Sequence, residues 1–192
     1  MRVNEIFESV QGEGYHTGEA AIFVRLSGCN LSCPFCDTEH KSYKDMAEHE
    51  IVAEIANFGA ELVVITGGEP TLQLTDTLVS QIHALGKMVA VETNGTRDVP
   101  KNVDWVTVSP KMPFVGEAGK PVLKFAHELK VVFDGVHEPD DFGIVTPHRY
   151  LQPCDTGDIH KNREIYIKIV EYVKKNPQWK ISLQTQKILN VR

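Results

Sequence analysis

AIFVRLSGCNLSCPFCDT, residues 21–38, passes from a short apolar run straight into a loop holding three cysteines. Residues 21–27 read as a buried strand, with a single charge, Arg25, inside it. Cys29, Cys33 and Cys36 follow with the spacing C-x3-C-x2-C, and a fourth cysteine, Cys154, lies far along the chain. A disulfide uses two thiols, and structural zinc usually takes four ligands from two separated pairs. Cys154 or His40 could complete a zinc set, but no second pair exists. Asn30, Ser32, Pro34 and Asp37 are not core residues, so the loop is not a set of inert buried thiols.

The rest of the chain limits what such a loop can serve. The 192 residues give room for one domain, residues 1–192, with a sizeable core. A net charge of −6 disfavours non-specific binding to nucleic acid or to an anionic membrane. No apolar run approaches the ~20 residues that span a bilayer. The N-terminal MRVNEIFESVQGEG carries acids where a signal peptide has an apolar stretch, so a cytoplasmic protein is expected. Thiols stay reduced there, which favours metal binding or catalysis over a disulfide.

Beyond the loop, strand and helix patterns alternate. Residues 62–66, 88–92, 105–108, 129–133 and 150–152 read as strands, with a further short one at 179–183. Helices are expected at 45–58, at 76–85 before Gly86, and at 162–175. The last carries Ile165, Tyr166, Ile169, Val170 and Val173 on one face. This alternation predicts an α/β fold with a mostly parallel sheet. A full eight-fold barrel takes ~250 residues, so the expected form is an incomplete β/α barrel of about six strands. Chemistry in such sheets sits at the carboxyl ends of the strands. Polar clusters fall there five times: at Cys29, at Gly67-Gly68-Glu69-Pro70, at Thr93-Asn94-Gly95, at Ser109-Pro110-Lys111 and at Gln152-Pro153.

A [4Fe–4S] cluster normally takes four thiolates, so three leave one iron open to a substrate or cofactor. In this strand-loop setting the spacing resembles the radical S-adenosylmethionine (SAM) superfamily, where the amino and carboxylate groups of SAM chelate the open iron. Gly67-Gly68-Glu69-Pro70 is similar to that superfamily's glycine-rich stretch, whose backbone would accept from the SAM amino group. The same resemblance gives Glu92 to the ribose hydroxyls and Ser109, Pro110 and Lys111 to the methionyl carboxylate or ribose. It gives Gln152 and Pro153 to the adenine pocket, and adds Phe35, Cys36, Asp37, Gly68, Glu69 and Asn94 as SAM neighbours.

A closer resemblance runs the length of the chain. Gln11-Gly12-Glu13-Gly14 before the first strand, Arg25 within it and Cys36-Asp37-Thr38 closing the loop resemble the 7-carboxy-7-deazaguanine synthases of queuosine precursor biosynthesis. T-G-G-E-P at 66–70, E-T-N-G at 92–95, S-P-K at 109–111 and L-Q-T-x-K at 183–187 extend the match. The resemblance implies that the 5′-deoxyadenosyl radical from SAM takes a hydrogen from C6 of 6-carboxy-5,6,7,8-tetrahydropterin. The ring then contracts, ammonia leaves and SAM is regenerated. Magnesium assists, and Thr38 matches its threonine. Val10, Gln11, Gly12, Glu13, Arg25 and Thr66 would bind the pterin, with Glu13 and Arg25 as the catalytic pair. Gln11 and Glu13 suit a planar edge of donors and acceptors. Arg25 offers a carboxylate a bidentate match, and an arginine in an apolar strand is costly unless paired.

An electron donor such as flavodoxin or ferredoxin and a homodimer are further implications, the latter also suggested by open sheet edges. Gln186 departs from the pattern, which has a histidine there, and Arg192 or its carboxylate would approach the substrate. Two other readings share the cysteines. An activase that installs a glycyl radical on a partner protein would need a docking surface for that partner. An iron–sulfur electron carrier should supply every cluster ligand itself.

Overall fold

Alternate residues of each parallel strand point to opposite faces, and in this chain the two faces have different jobs. The structure is a computed structural model describing residues 1–39 and 41–191. Its elements in chain order are β1 (Arg2–Val10), β2 (Ala20–Leu26), β3 (Lys44–Asp45), α1 (Glu48–Ile55), β4 (Leu62–Gly67), α2 (Asp76–His83), β5 (Met88–Thr93), β6 (Trp105–Val108), the single turn α3 (Met112–Val115), β7 (Glu128–Phe133), β8 (His148–Pro153), α4 (Ile159–Lys175), β9 (Lys180–Ile181) and α5 (Thr185–Leu189). Among the described residues the strands form one open sheet, ordered β3-β1-β2-β4-β5-β6-β7-β8-β9. From β2 to β9 every neighbouring pair is parallel, as expected for an incomplete β/α barrel.

On the convex face Ile22, Val24, Val63, Ile65, Val89 and Val91 pack against Ile51 and Ile55 of α1 and Leu78, Val79 and Ile82 of α2. A second core joins Leu129, Val131 and Leu151 to Ile165 and Ile169 of α4. The concave face is apolar only in its lower half, where Phe7, Phe23, Leu62, Val64 and Ala90 meet. One inward position further along the strands it turns polar, at Arg25, Thr66, Glu92, Thr107, Lys130 and Gln152, all of which line a cavity. The period-2 alternation of strands β2 to β8 thus places a polar floor over an apolar base.

Three boundaries differ from the sequence reading. The N-terminal segment is a full strand, β1, antiparallel to β2. A register shift between Val3 and Glu5 interrupts its alternation, so Val3 and Ile6 join the convex core while Phe7 joins the concave one. The helix expected at 45–58 is shorter, because Asp45 pairs with Arg2 in β3 and the Glu50 side chain accepts from Ala47 N at the helix start. Conversely α4 begins before residue 162, since the Asp158 carboxylate accepts from His160 N and Lys161 N and caps its first turn.

Candidate active site

The carboxyl ends of the strands open into a cavity of about 940 Å³. Cys29, Cys33 and Cys36 line one wall of it. Burial pushes the Cys29 thiol up, and it does the same for Cys33, where Lys111 pulls the other way. The donor set suits a cluster: three soft sulfur ligands share the cavity lining, and bound iron would supply positive charge to offset the burial of Cys29 and Cys33.

The stem of the cysteine loop is pinned to the end of β4. Gly68 N donates to Leu26 O at 3.0 Å and Glu69 N to Gly28 O at 2.9 Å. A Cβ on Gly68 would sit 2.1 Å from Gly28 O, and one on Gly67, whose φ is +126°, would sit 2.0 Å from Leu26 O. The sequence reading ascribed these glycines to close approach of a ligand. They line the cavity, but the steric need comes first from the neighbouring backbone.

Glu69 is fully buried and does not line the cavity. Its carboxylate accepts from Thr71 N and Oγ1, from Thr93 Oγ1 and from Asn94 N at 2.7–3.0 Å, so its side chain ties two rim loops together. Val10 and Pro110 also stand outside the cavity lining, the former within β1 and the latter in the turn before α3. The other expected residues, Gln11, Gly12, Glu13, Arg25, Phe35, Cys36, Asp37, Thr38, Thr66, Gly68, Glu92, Asn94, Ser109, Lys111, Gln152 and Pro153, converge on it. Asn94 Nδ2 donates to Asn30 Oδ1 at 3.0 Å and so joins the β5 rim to the cysteine loop. Lys111 donates to Ser109 O and Oγ at 2.7 and 2.6 Å, and burial draws its ammonium down to about 8.

A hydrogen-bonded network lines the same cavity and meets the cysteine loop where Gln184 Nε2 donates to Asp37 Oδ2 at 3.3 Å. Gln11 Nε2 donates to Glu92 Oε1 at 3.3 Å, and Gln11 Oε1 accepts from Glu13 N at 3.1 Å. Thr66 Oγ1 donates to Glu92 Oε2 at 3.3 Å. Glu13 accepts from Gln184 Nε2 at 3.1 Å and from Gln186 Nε2 at 2.9 Å. Glycine at 12 and 14 is a packing requirement, not a flexible turn. A Cβ on Gly12 would lie 1.9 Å from Gln186 Oε1, and one on Gly14, whose φ is +68°, would lie 2.1 Å from Glu128 Oε1. Gln186 therefore fills the position where a histidine was expected, with one amide end on Glu13 and its Oε1 buried without a partner among the described residues.

Arg25 Nε donates to Glu5 Oε1 at 2.9 Å, which accounts for a charge inside an apolar strand, and the arginine still lines the cavity. Its partner Glu5 was missed because β1 was not read as a strand. Lys130 was missed too: its ammonium donates to Glu13 at 2.6 Å and to Glu92 at 3.3 Å. A lone cation at an inward position of an otherwise apolar strand is the signal that could have found it. Lys187 joins Asp37 of the cysteine loop to Asp155 beyond β8 at 2.9 and 2.8 Å. Cys154 lines the cavity beside them. His40 and Arg192 lie outside the described residues.

An open, mostly parallel α/β sheet whose first parallel strand feeds three cysteines onto a cofactor-sized rim defines a radical SAM enzyme, and the radical SAM superfamily pattern matches residues 23–114. The 7-carboxy-7-deazaguanine synthase of Bacteroides thetaiotaomicron is 42% identical over 191 residues, covering 100% of this chain and 98% of that protein. That of Haemophilus influenzae is 34% identical, covering 100% and 94%. The crystal structure of QueE from Escherichia coli superposes with a TM-score of 0.71 at 31% identity, over 95% of this chain and 93% of that one. The chain belongs to the 7-carboxy-7-deazaguanine synthase family.

Proposed function

We propose that this enzyme converts 6-carboxy-5,6,7,8-tetrahydropterin to 7-carboxy-7-deazaguanine with loss of ammonia, in queuosine and 7-deazapurine biosynthesis. The observation that carries this reading is that three thiols line one cavity together with Gln11, Glu13 and Arg25. Cys29, Cys33 and Cys36 would hold the cluster. When bound, the cluster and SAM supply the 5′-deoxyadenosyl radical that removes a hydrogen from the pterin. The chain's own part is binding and aiming. Glu13, an anionic acceptor, and the Gln11 amide would read the planar edge of the pterin. Arg25 would clamp its carboxylate, exchanging or sharing its contact with Glu5. Lys111 would receive the SAM carboxylate, an anion that offsets the burial of its ammonium. Glu92 would meet the ribose, and Gly68 would present its backbone to the amino group.

Thr38 lines the cavity and offers a neutral oxygen suited to magnesium that keeps most of its waters. An electron donor of the flavodoxin or ferredoxin kind, a homodimer and a cytoplasmic setting complete the reading. No helix among the described residues is long and apolar enough to cross a membrane. A cavity whose lining gathers Gln11, Glu13 and Arg25 favours a small anionic molecule over the partner protein of an activase.

The test is Arg25→Ala. Losing hydrogen bonds to a charged group costs about 1.5–3 kcal/mol, so the pterin KM should rise at least about tenfold, with SAM affinity and iron content retained. An unchanged KM would remove Arg25 from the substrate site.

A further inference from the structure

Lys130 lies on β7 facing into the barrel, with 7% of its side chain exposed. The register shows how it reaches two places at once. Glu92 of β5 pairs with Thr107 of β6, and Thr107 pairs with Glu128 of β7. Thr107 is small, so the space above it is left for the ammonium of Lys130, one inward position further along β7. From there Nζ meets Glu13 of the N-terminal loop at 2.6 Å and Glu92 at 3.3 Å. Those two carboxylates come from separate elements. On the reading above, one faces the pterin and the other faces the ribose of SAM.

We propose that Lys130 is a positioning residue: one ammonium fixes the substrate-reading and nucleoside-reading carboxylates relative to each other, and so registers the pterin against the carbon that attacks it. This deepens the proposed function and rests on it. Burial alone would lower the lysine's proton affinity, but Glu13, Glu92 and Glu128 around it outweigh that and hold it charged, so it acts as a fixed cation and not as a proton donor. Hydrogen transfer between two bound partners depends steeply on their separation, and a misplacement near 1 Å can cost about a hundredfold.

The conservative variant carries the test, because Lys130→Met would leave three carboxylates without their cation. In Lys130→Arg the charge stays, but a planar fork cannot occupy the point between Glu13 and Glu92 in the same way. The full chain, reconstituted anaerobically with iron and sulfide, is compared with the wild type. Four readouts are taken: iron per chain, SAM affinity by equilibrium titration, pterin KM, and 5′-deoxyadenosine released per 7-carboxy-7-deazaguanine formed. Lys130→Arg should keep its iron, while pterin KM rises about tenfold or more, SAM binds more weakly through the displaced Glu92, and abortive 5′-deoxyadenosine per product climbs. A wild-type value for either KM or the abortive ratio overturns the proposal. So does loss of the folded state in this charge-conserving variant, which would assign the ammonium to the core alone. If wild type itself leaves the pterin untouched, the substrate reading fails instead.

Discussion

Glu13 is under opposing pressures. Burial alone would push its carboxyl up, but the charge of Lys130 and hydrogen bonds from Lys130, Gln186 and Gln184 hold it down at about 2. The folded value lies below the ordinary 4.5, so this group's contribution to stability is present above pH 4.5 and is lost as the pH falls toward 2. Urea unfolding across that range should show a shallower loss of stability with acid in Glu13→Gln than in wild type, and identical slopes would show that the pairing adds nothing. At this scale the sequence was informative where function needs a rare local pattern. The cysteine spacing, Gln11-Gly12-Glu13-Gly14 and Arg25 could be found without a structure. Lys130 left only the weak signal of a cation in an apolar strand, and Gln184 left none, because a glutamine near the C-terminus looks the same whether it meets solvent or a buried carboxylate. Only register and chain crossing decide.

Among the elements, the joint between β4 and the cysteine loop is the most exacting. Gly68 has a backbone carbonyl where a side chain would begin, and backbone at the end of two paired strands cannot easily yield. Gly68→Ala should therefore cost about 1–3 kcal/mol, the usual range for overpacking, and should lower iron retention after reconstitution. Thermal melting and iron analysis check both. Unchanged melting with full iron would mean that the loop moves aside freely. Strands β2 and β4 to β8 and the three main helices were legible because their hydrophobic periods are clean. β1 was not, because its bulge scrambles the alternation, and the ends of α1 and α4 shifted because the Glu50 and Asp158 side chains set their caps. For Glu69 the sequence shows a carboxylate at the rim but not the direction of its side chain, which turns onto Thr71, Thr93 and Asn94.

For the molecule as a whole, strand order places the two halves of the site. β2 and β4 present the cysteine loop and its glycine partner and add Arg25 and Thr66 to the polar floor, while β5 to β8 supply the rest of that floor and the Gln152-Pro153 rim. The mostly parallel character of the sheet was predictable from the alternation of strands and helices, since parallel connections leave few arrangements. The edges were not. Among the described residues β3 and β9 are two-residue strands that pair only with Arg2 and Val3 of β1 and with Tyr150 and Leu151 of β8. The first helix-backed core holds no residue of the cysteine loop and the second meets that loop through Phe35, so the bulk of the fold should survive without iron even though the chemistry does not. The most direct test joins these two expectations. Reconstituted protein, reductant, SAM, magnesium and 6-carboxytetrahydropterin are mixed anaerobically and followed by mass spectrometry, beside an iron-chelated sample checked by circular dichroism. A new species at the mass of 7-carboxy-7-deazaguanine should form only with SAM and iron, from protein folded in both samples. SAM cleaved to 5′-deoxyadenosine with the pterin untouched would contradict the assignment of this cavity to a pterin.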